Sequence, residues 1–241
     1  MMVACANCPL RELSCFRPLP AQVTEVIRIN QLALGPRAEL AYPEDGTTRV
    51  FTLFSGWAVR YRALNDGRRQ IIDFVLPGDL VVSRATSRGP VNQGVSAVTE
   101  VVVCALDAGT LRRSLARRSR HAAEFLRTLM LEAARFERRL LLVGQQRPTE
   151  RLAYLLLELR DRINERHSNE LALTVQAPLS YQHMSESIGV SRAQLARSLT
   201  ELEQRGWLRR DKGEFELPQI AQLALFCSYD LHDTLRPRTL I

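Results

Sequence analysis

The chain has 241 residues, 46% of them apolar and 24% charged, with a formal net charge of +7. That length and composition suit a globular protein of one large or two modest domains and exclude a disordered chain. No run approaches the ~18 apolar residues of a membrane helix, so no membrane partner is expected.

The first motif is "CANCPLRELSCF", residues 5–16, with Cys5, Cys8 and Cys15 close together. "MMVACANC" enters it with no basic-then-apolar leader, which sets the expectation of a cytoplasmic protein. In a reducing compartment clustered cysteines are more often metal ligands or redox groups than structural disulfides. Cys104 and Cys227 complete an odd set of five, a poor fit to a disulfide framework. The residues alone leave a metal centre, a thiol pair and incidental cysteines all open.

Residues 32–106 read as short strands with turn punctuation. "VFTLFSGWAVRYRAL" (50–64) is β-branched and aromatic, broken at Ser55-Gly56. Asn65-Asp66-Gly67 is a tight hairpin signal, "RRQIIDFVL" (68–76) is the next strand, and Pro77-Gly78-Asp79 turns again. "SAVTEVVVCAL" (96–106) is a further β-rich run. Strands at this spacing predict a small antiparallel roll or barrel.

The period changes after Asp107. Leu129, Ala133, Phe136, Leu140 and Val143 recur at steps of four and three, which predicts a long helix with one apolar seam over 119–145. Such a seam packs on its own domain or pairs with a second copy. Pro148 marks a boundary, and 149–166 is a new amphipathic helix with Thr149 as its expected N-cap.

The most specific pattern is "LSYQHMSESIGVSRAQLARSLTELEQRGW" (179–207). Ser180 caps a short helix carrying Met184 and Ile188 inward and ended by Gly189. Ser191 caps a second, with Leu195, Leu199 and Leu202 as its inner face, ended by Gly206. This is a helix-turn-helix, whose second helix enters the major groove of double-stranded DNA. Arg192, Gln194 and Arg197 stand on its exposed face, and arginine's planar fork matches O6 and N7 of guanine. "WLRRDKGEFEL" (207–217) reads as a hairpin wing around Lys212-Gly213. Ser180, Ser191 and Lys212 complete the expected DNA-contacting set. Charge alone does not locate this surface, because residues 1–147 carry 21 basic and 13 acidic groups and residues 148–241 carry 12 and 13.

With these motifs in place, the sequence resembles the CRP/FNR family of bacterial transcription regulators over nearly its whole length. The resemblance implies an α+β fold: an N-terminal antiparallel β-roll (a jelly roll of cyclic-nucleotide-binding type) as sensor, a long dimerisation helix and a C-terminal winged helix-turn-helix. Its expected segments are 1–20 (cysteine segment), 21–118 (roll), 119–147 (helix), 148–226 (DNA-binding domain) and 227–241 (tail). It also implies a homodimer paired along the Leu129–Val143 seam, reading a palindrome, with RNA polymerase as a further partner. "SRAQLAR" is similar to the family's Ser-Arg-Glu-x-x-x-Arg pattern, with Arg192 and Arg197 on its two reading arginines. Ala193 replaces the family's glutamate, which implies altered selectivity at that base pair.

Within the family, a cyclic-nucleotide sensor needs an arginine-serine pair and a glutamate. Val91-Asn92 and Asp79 stand there instead, so no cyclic nucleotide is expected. His121, His167, His183 and His232 show no haem-ligand grouping in the roll. The branch typified by FNR holds a [4Fe–4S] cluster on three N-terminal cysteines and a fourth in the last strand of the roll. Cys5, Cys8 and Cys15 resemble the first three, and Cys104 falls where the fourth is expected; the Cys-x2-Cys-x6-Cys spacing departs from the FNR pattern by one residue. The branch implies an oxygen or redox sensor whose labile cluster controls dimerisation and DNA affinity. Zinc, a thiol/disulfide switch or an unidentified small ligand are the alternatives, and Cys104 alone also reads as a core thiol. No enzyme is expected: an iron–sulfur or Cys-x-x-Cys oxidoreductase lacks a βαβ pattern around Cys5 and Cys8, and a cupin-like enzyme lacks clustered histidines.

Overall fold

The computed structural model describes residues 3–11, 19–40, 49–81, 93–167, 173–211 and 213–231. The chain divides into two compact units, Met1–Ala133 and Ala134–Ile241, and the division falls within one long helix.

In the first unit seven strands form two antiparallel sheets. These are β1 (Arg28–Leu34), β2 (Arg49–Ser55), β3 (Ala58–Ala63), β4 (Arg69–Val75), β5 (Leu80–Val81), β6 (Gln93–Ala97) and β7 (Val101–Asp107). One sheet has the order β1-β7-β2-β5 and the other β4-β3-β6. Phe51, Leu53, Val103 and Ala105 of the first and Ala58, Val75, Val95 and Ala97 of the second are buried in one core. Each large side chain so buried stabilises the roll by about 2 kcal/mol. The run expected over 96–106 is two strands, because the chain bends at Val98–Glu100 before β7. That bend packs on the β2–β3 turn: a Cβ on Gly56 (φ 84°) would lie 2.1 Å from the Glu100 carbonyl oxygen, so only glycine fits.

Three helices cover the outer face of the four-stranded sheet: α1 (Ala21–Ile27), α2 (Ala108–Ala116) and the start of α3 (Ser119–Gln145). Asp107 caps α2, accepting from the Thr110 N–H at 2.6 Å. A second core of Leu19, Ile27, Val50, Leu80, Leu106 and Leu111 lies beneath them, and Phe125 and Leu129 of α3 pack against it. Leu129, expected in the dimer seam, is therefore used within its own unit.

The second unit contains the rest of α3, α4 (Pro148–His167), α5 (Tyr181–Ile188), α6 (Arg192–Gln204), α7 (Ile220–Phe226) and a small sheet. The sheet has the order β8 (Thr174–Gln176), β10 (Glu214–Glu216), β9 (Arg209–Asp211). Leu152, Leu156 and Leu159 of α4 are fully buried, as are Leu195, Leu199 and Leu202 of α6. Thr149 does not cap α4. The helix begins one residue earlier, and the Thr149 hydroxyl bonds Ser198 Oγ at 3.2 Å and Glu201 Oε2 at 2.6 Å, joining α4 to α6.

Just after α7, Tyr229 is docked on α4. Tyr229 donates to Asp161 Oδ2 at 2.7 Å and meets the Tyr154 ring edge-on at 4.9 Å. Cys227 is a fully buried free thiol donating to the Leu223 carbonyl at 3.1 Å. Burial pushes its thiol up to about 12, which makes it an inert packing group. No helix among the described residues is long and apolar enough to cross a membrane.

Candidate functional site

The exposed end of α6 is built by its caps. Ser180 Oγ accepts from the His183 N–H at 3.1 Å, and His183 Nδ1 accepts from the Ser180 N–H at 3.3 Å, closing a capping box on α5. Gly189 ends α5 with φ 69°, in the left-handed region that favours glycine. Ser191 Oγ then accepts from the Gln194 N–H at 3.1 Å and starts α6. With Leu195, Ser198, Leu199 and Leu202 buried inward, Arg192, Ala193, Ala196 and Arg197 are exposed on the opposite side. Ser180 and Ser191 lie at this surface as caps, each hydroxyl oxygen accepting from the helix and keeping its own hydrogen to donate.

Both arginines are held by glutamines. Arg192 Nη2 donates to Gln182 Oε1 on α5 at 2.8 Å, and Gln182 Nε2 donates to Glu186 Oε1 at 2.7 Å. Arg197 Nη2 donates to Gln194 Oε1 at 2.6 Å. Gln182 was not legible as a site residue, because the contact crosses the turn between two helices. The wing forms as β9 and β10, with Gly213 at φ 90° in its turn; Lys212 lies outside the described residues. Arg210 is a strut rather than a free cation: it forks onto Glu203 at 2.6 and 2.8 Å and donates to Tyr181. Arg205 lies over the Trp207 and Phe226 rings at 4.9 and 4.8 Å.

In the first unit Cys5, Cys8 and Cys104 lie on the outer face of the four-stranded sheet. Val101, Val103 and Ala105 of β7 are buried, so the intervening Cys104 points away from the roll core. It pairs with Gln31 of β1 and Thr52 of β2, and Gln31 Nε2 lies 3.4 Å from its sulfur. Cys104 is not the core thiol that its apolar strand also allowed. Cys5, in a 3-10 turn over Cys5–Asn7, and Cys8 line the same cleft as Cys104, an open space of about 580 Å³ that Arg11 and Arg28 also border.

Hydrogen bonds fasten this N-terminal segment to α1 and β1. The Cys5 N–H donates to Glu25 Oε2 at 2.7 Å, Arg28 donates to the Val3 carbonyl, and Arg11 Nη2 donates to the Leu19 carbonyl at 2.6 Å. Burial, followed by the Glu25 carboxylate and nearby Cys104, pushes the Cys5 thiol up to about 12. The Cys5 amide in turn holds the exposed Glu25 carboxyl below its usual range. Cys15 lies outside the described residues, and among those described no three His, Cys, Asp or Glu side chains are drawn together as a metal-binding group.

The outer face of α3 differs from the expected seam. Leu129 packs on the second core and Phe136 is half-buried, whereas Ala133, Leu140 and Val143 are exposed. Leu126 and Met130 join them at 57% and 58% exposure, beside Leu140 at 75%. Leu126, Met130, Ala133 and Leu140 follow steps of four, three and seven, so the unpartnered stripe is a heptad seam rotated about the helix from the expected one.

Comparison with known proteins covers both units. Residues 33–118 match the cyclic nucleotide-binding domain and residues 150–226 the Crp-like helix-turn-helix domain. The chain is 28% identical to the transcriptional activatory protein AadR of Rhodopseudomonas palustris, over 82% of both chains. It is 27% identical to the nitrogen fixation regulation protein FixK of Bradyrhizobium diazoefficiens, over 84% of both. The solved structure of FixK2 from Bradyrhizobium japonicum superposes with a TM-score of 0.69 at 24% identity, covering 82% of this chain and 96% of that one.

Proposed function

This chain belongs to the CRP/FNR family of DNA-binding transcription regulators, and from that premise we propose that it sets its DNA affinity by oxygen or redox state, through a labile [4Fe–4S] cluster on Cys5, Cys8, Cys15 and Cys104. The observation that carries this reading is that Cys5, Cys8 and Cys104 all line one cleft at the outer face of the roll. The donor chemistry fits. Thiolates are the ligands such a cluster requires, Arg11 and Arg28 border the cleft with positive charge, and Gln31 can donate to the Cys104 sulfur. When bound, such a cluster supplies an oxygen-labile cross-link between the four thiolates.

The chain's own residues carry the consequence of that cross-link. Cys5 and Cys8 sit on a segment bonded to α1 and β1, while Cys104 sits on rigid β7. Ile27 of α1 and Leu106 of β7 both enter the core on which Phe125 and Leu129 of α3 pack. Tying the segment down therefore steadies the floor beneath α3, and releasing it loosens that floor. In a dimer paired through α3, looser packing weakens the pairing that presents two reading helices to a palindrome together. The seam we assign to that pairing is Leu126, Met130, Ala133 and Leu140.

We further propose that the protein reads no cyclic nucleotide, is not an enzyme, acts in the cytoplasm where its DNA lies, and contacts RNA polymerase. The Val91-Asn92 pair on which the nucleotide reading turns lies outside the described residues.

The test is DNA affinity before and after air exposure, measured on one palindromic duplex with protein reconstituted under anaerobic conditions. Affinity should fall on exposure in the wild type, and should be low throughout in Cys104→Ala and Cys15→Ala. Equal affinity for all three proteins before and after exposure would contradict the reading.

A further inference from the structure

Arg197 is a long, exposed side chain, and ordering such a chain on a base carries a cost in rotamer entropy. Here it is already ordered, with Nη2 on Gln194 Oε1 at 2.6 Å. A guanidinium has donors only, so Gln194 turns its carbonyl oxygen to Arg197 and its NH2 group away. The start of the glutamine is fixed too, because its N–H is taken by the Ser191 cap.

Nothing else on this part of α6 fills that role. Ala193 and Ala196 have no acceptor, and Ser198 is buried. Glu201 is engaged by Thr149 at 2.6 Å and Arg205 at 2.6 Å, and Glu203 by Arg210. Arg192 is held separately by Gln182.

We infer that Gln194 is a positioning and selectivity residue for DNA reading: its carbonyl oxygen aims the Arg197 guanidinium, and its NH2 group donates to the neighbouring base pair. Without a carboxylate at Ala193, the outer face of the first two turns presents donors and methyl groups to the groove. The edge it complements is a guanine, offering O6 and N7 to Arg197, beside a base offering an acceptor such as thymine O4 or purine N7. A cytosine N4 donor has no acceptor to meet at that second position.

This inference rests on the DNA-reading function stated above. Its test is selection from a randomised duplex pool by the full-length chain, run in parallel on anaerobically reconstituted and air-exposed protein. Anisotropy titrations at fixed salt then follow on the selected duplex and on half-site variants, for wild type, Gln194→Ala, Gln194→Glu, Arg197→Ala and the double alanine variant. Gln194→Ala should weaken binding to the selected duplex about tenfold and flatten the preference at both base pairs. Gln194→Glu keeps the acceptor but loses the donor, so it should keep the guanine preference and lose the neighbouring one. The double alanine variant should bind more tightly than the product of the two single losses predicts. A Gln194→Ala variant that keeps the wild-type preference, or weakens all duplexes equally, overturns the inference. Failure of the wild-type chain to select any sequence in either form would instead remove the DNA-reading premise, and the inference with it.

Discussion

Arg60 on β3 and Glu132 on α3 form an ion pair at 3.8 Å, with both side chains nearly buried. Arg60 also donates to the Leu80 carbonyl at 3.2 Å, on the strand beside Thr52, and Thr52 is itself paired with Cys104. The pair thus fastens α3 to the three-stranded sheet, and the Leu80 contact links that point to the sheet that carries a proposed cluster ligand. Glu132→Ala removes the carboxylate from a nearly buried ion pair while Arg60 keeps its bond to the Leu80 carbonyl, so it should cost the first unit about 1–3 kcal/mol. Replacing both by apolar residues of similar size should recover most of that loss. Urea unfolding midpoints of the two variants check this; equal destabilisation by both would show that the pair's charge is not what matters.

The exposed stripe on α3 predicts which changes affect dimerisation. Leu126→Glu and Leu140→Glu should shift sedimentation toward the monomer while leaving the folded chain intact. Leu129→Ala should instead cost about 2 kcal/mol of roll stability, with a smaller effect on association, because its side chain packs on the second core. Dimer loss confined to Leu129→Ala would restore the seam expected from sequence.

Thr149 joins α4 to the recognition helix through Ser198 and Glu201. Thr149→Val keeps the shape and removes both bonds, leaving the buried Ser198 hydroxyl without this partner. The second unit should lose about 1–3 kcal/mol, read as a lower thermal midpoint. A midpoint at the wild-type value would mean the contact adds no net stability.

Asp107 gives a pH dependence of known sign. Its hydrogen bonds with Thr110 hold its carboxyl below the ordinary 3.8. A depressed folded value contributes stability that is fully present above the unfolded value, near pH 4, and is lost as pH falls through the folded value. Wild type and Asp107→Asn should therefore differ most above pH 4 and converge below it. The effect is small because the side chain is 44% exposed. A gap that widens in acid would reverse the assignment.

The helix-turn-helix was legible because its signals are local: Ser180, Gly189 and Ser191 sit at fixed offsets from an apolar inner face. The long helix over 119–145 was legible from its period and from the Pro148 boundary. What the period leaves open is which side faces the protein's own core, and so Leu129 packs inward while Leu126 is exposed. Cys104 was ambiguous because "VVVCAL" has no polar residue to reveal the alternation that puts it outside. Thr149 looked like a cap because it follows Pro148, yet proline fits the first helical position and its hydroxyl is used across the domain. The short helices α1 and α2 gave little sequence signal, since each is held by the core beneath rather than by its own period.

The proposed oxygen response depends on Cys5, Cys8, Cys15 and Cys104 together holding an iron–sulfur cluster. Iron and acid-labile sulfide analysis of anaerobically reconstituted protein, with its visible spectrum, tests this most directly. Reconstituted protein should hold about four irons and four sulfides per chain and show a brown colour that bleaches in air, with both lost in Cys104→Ala. A colourless, iron-free wild-type protein after reconstitution would contradict it.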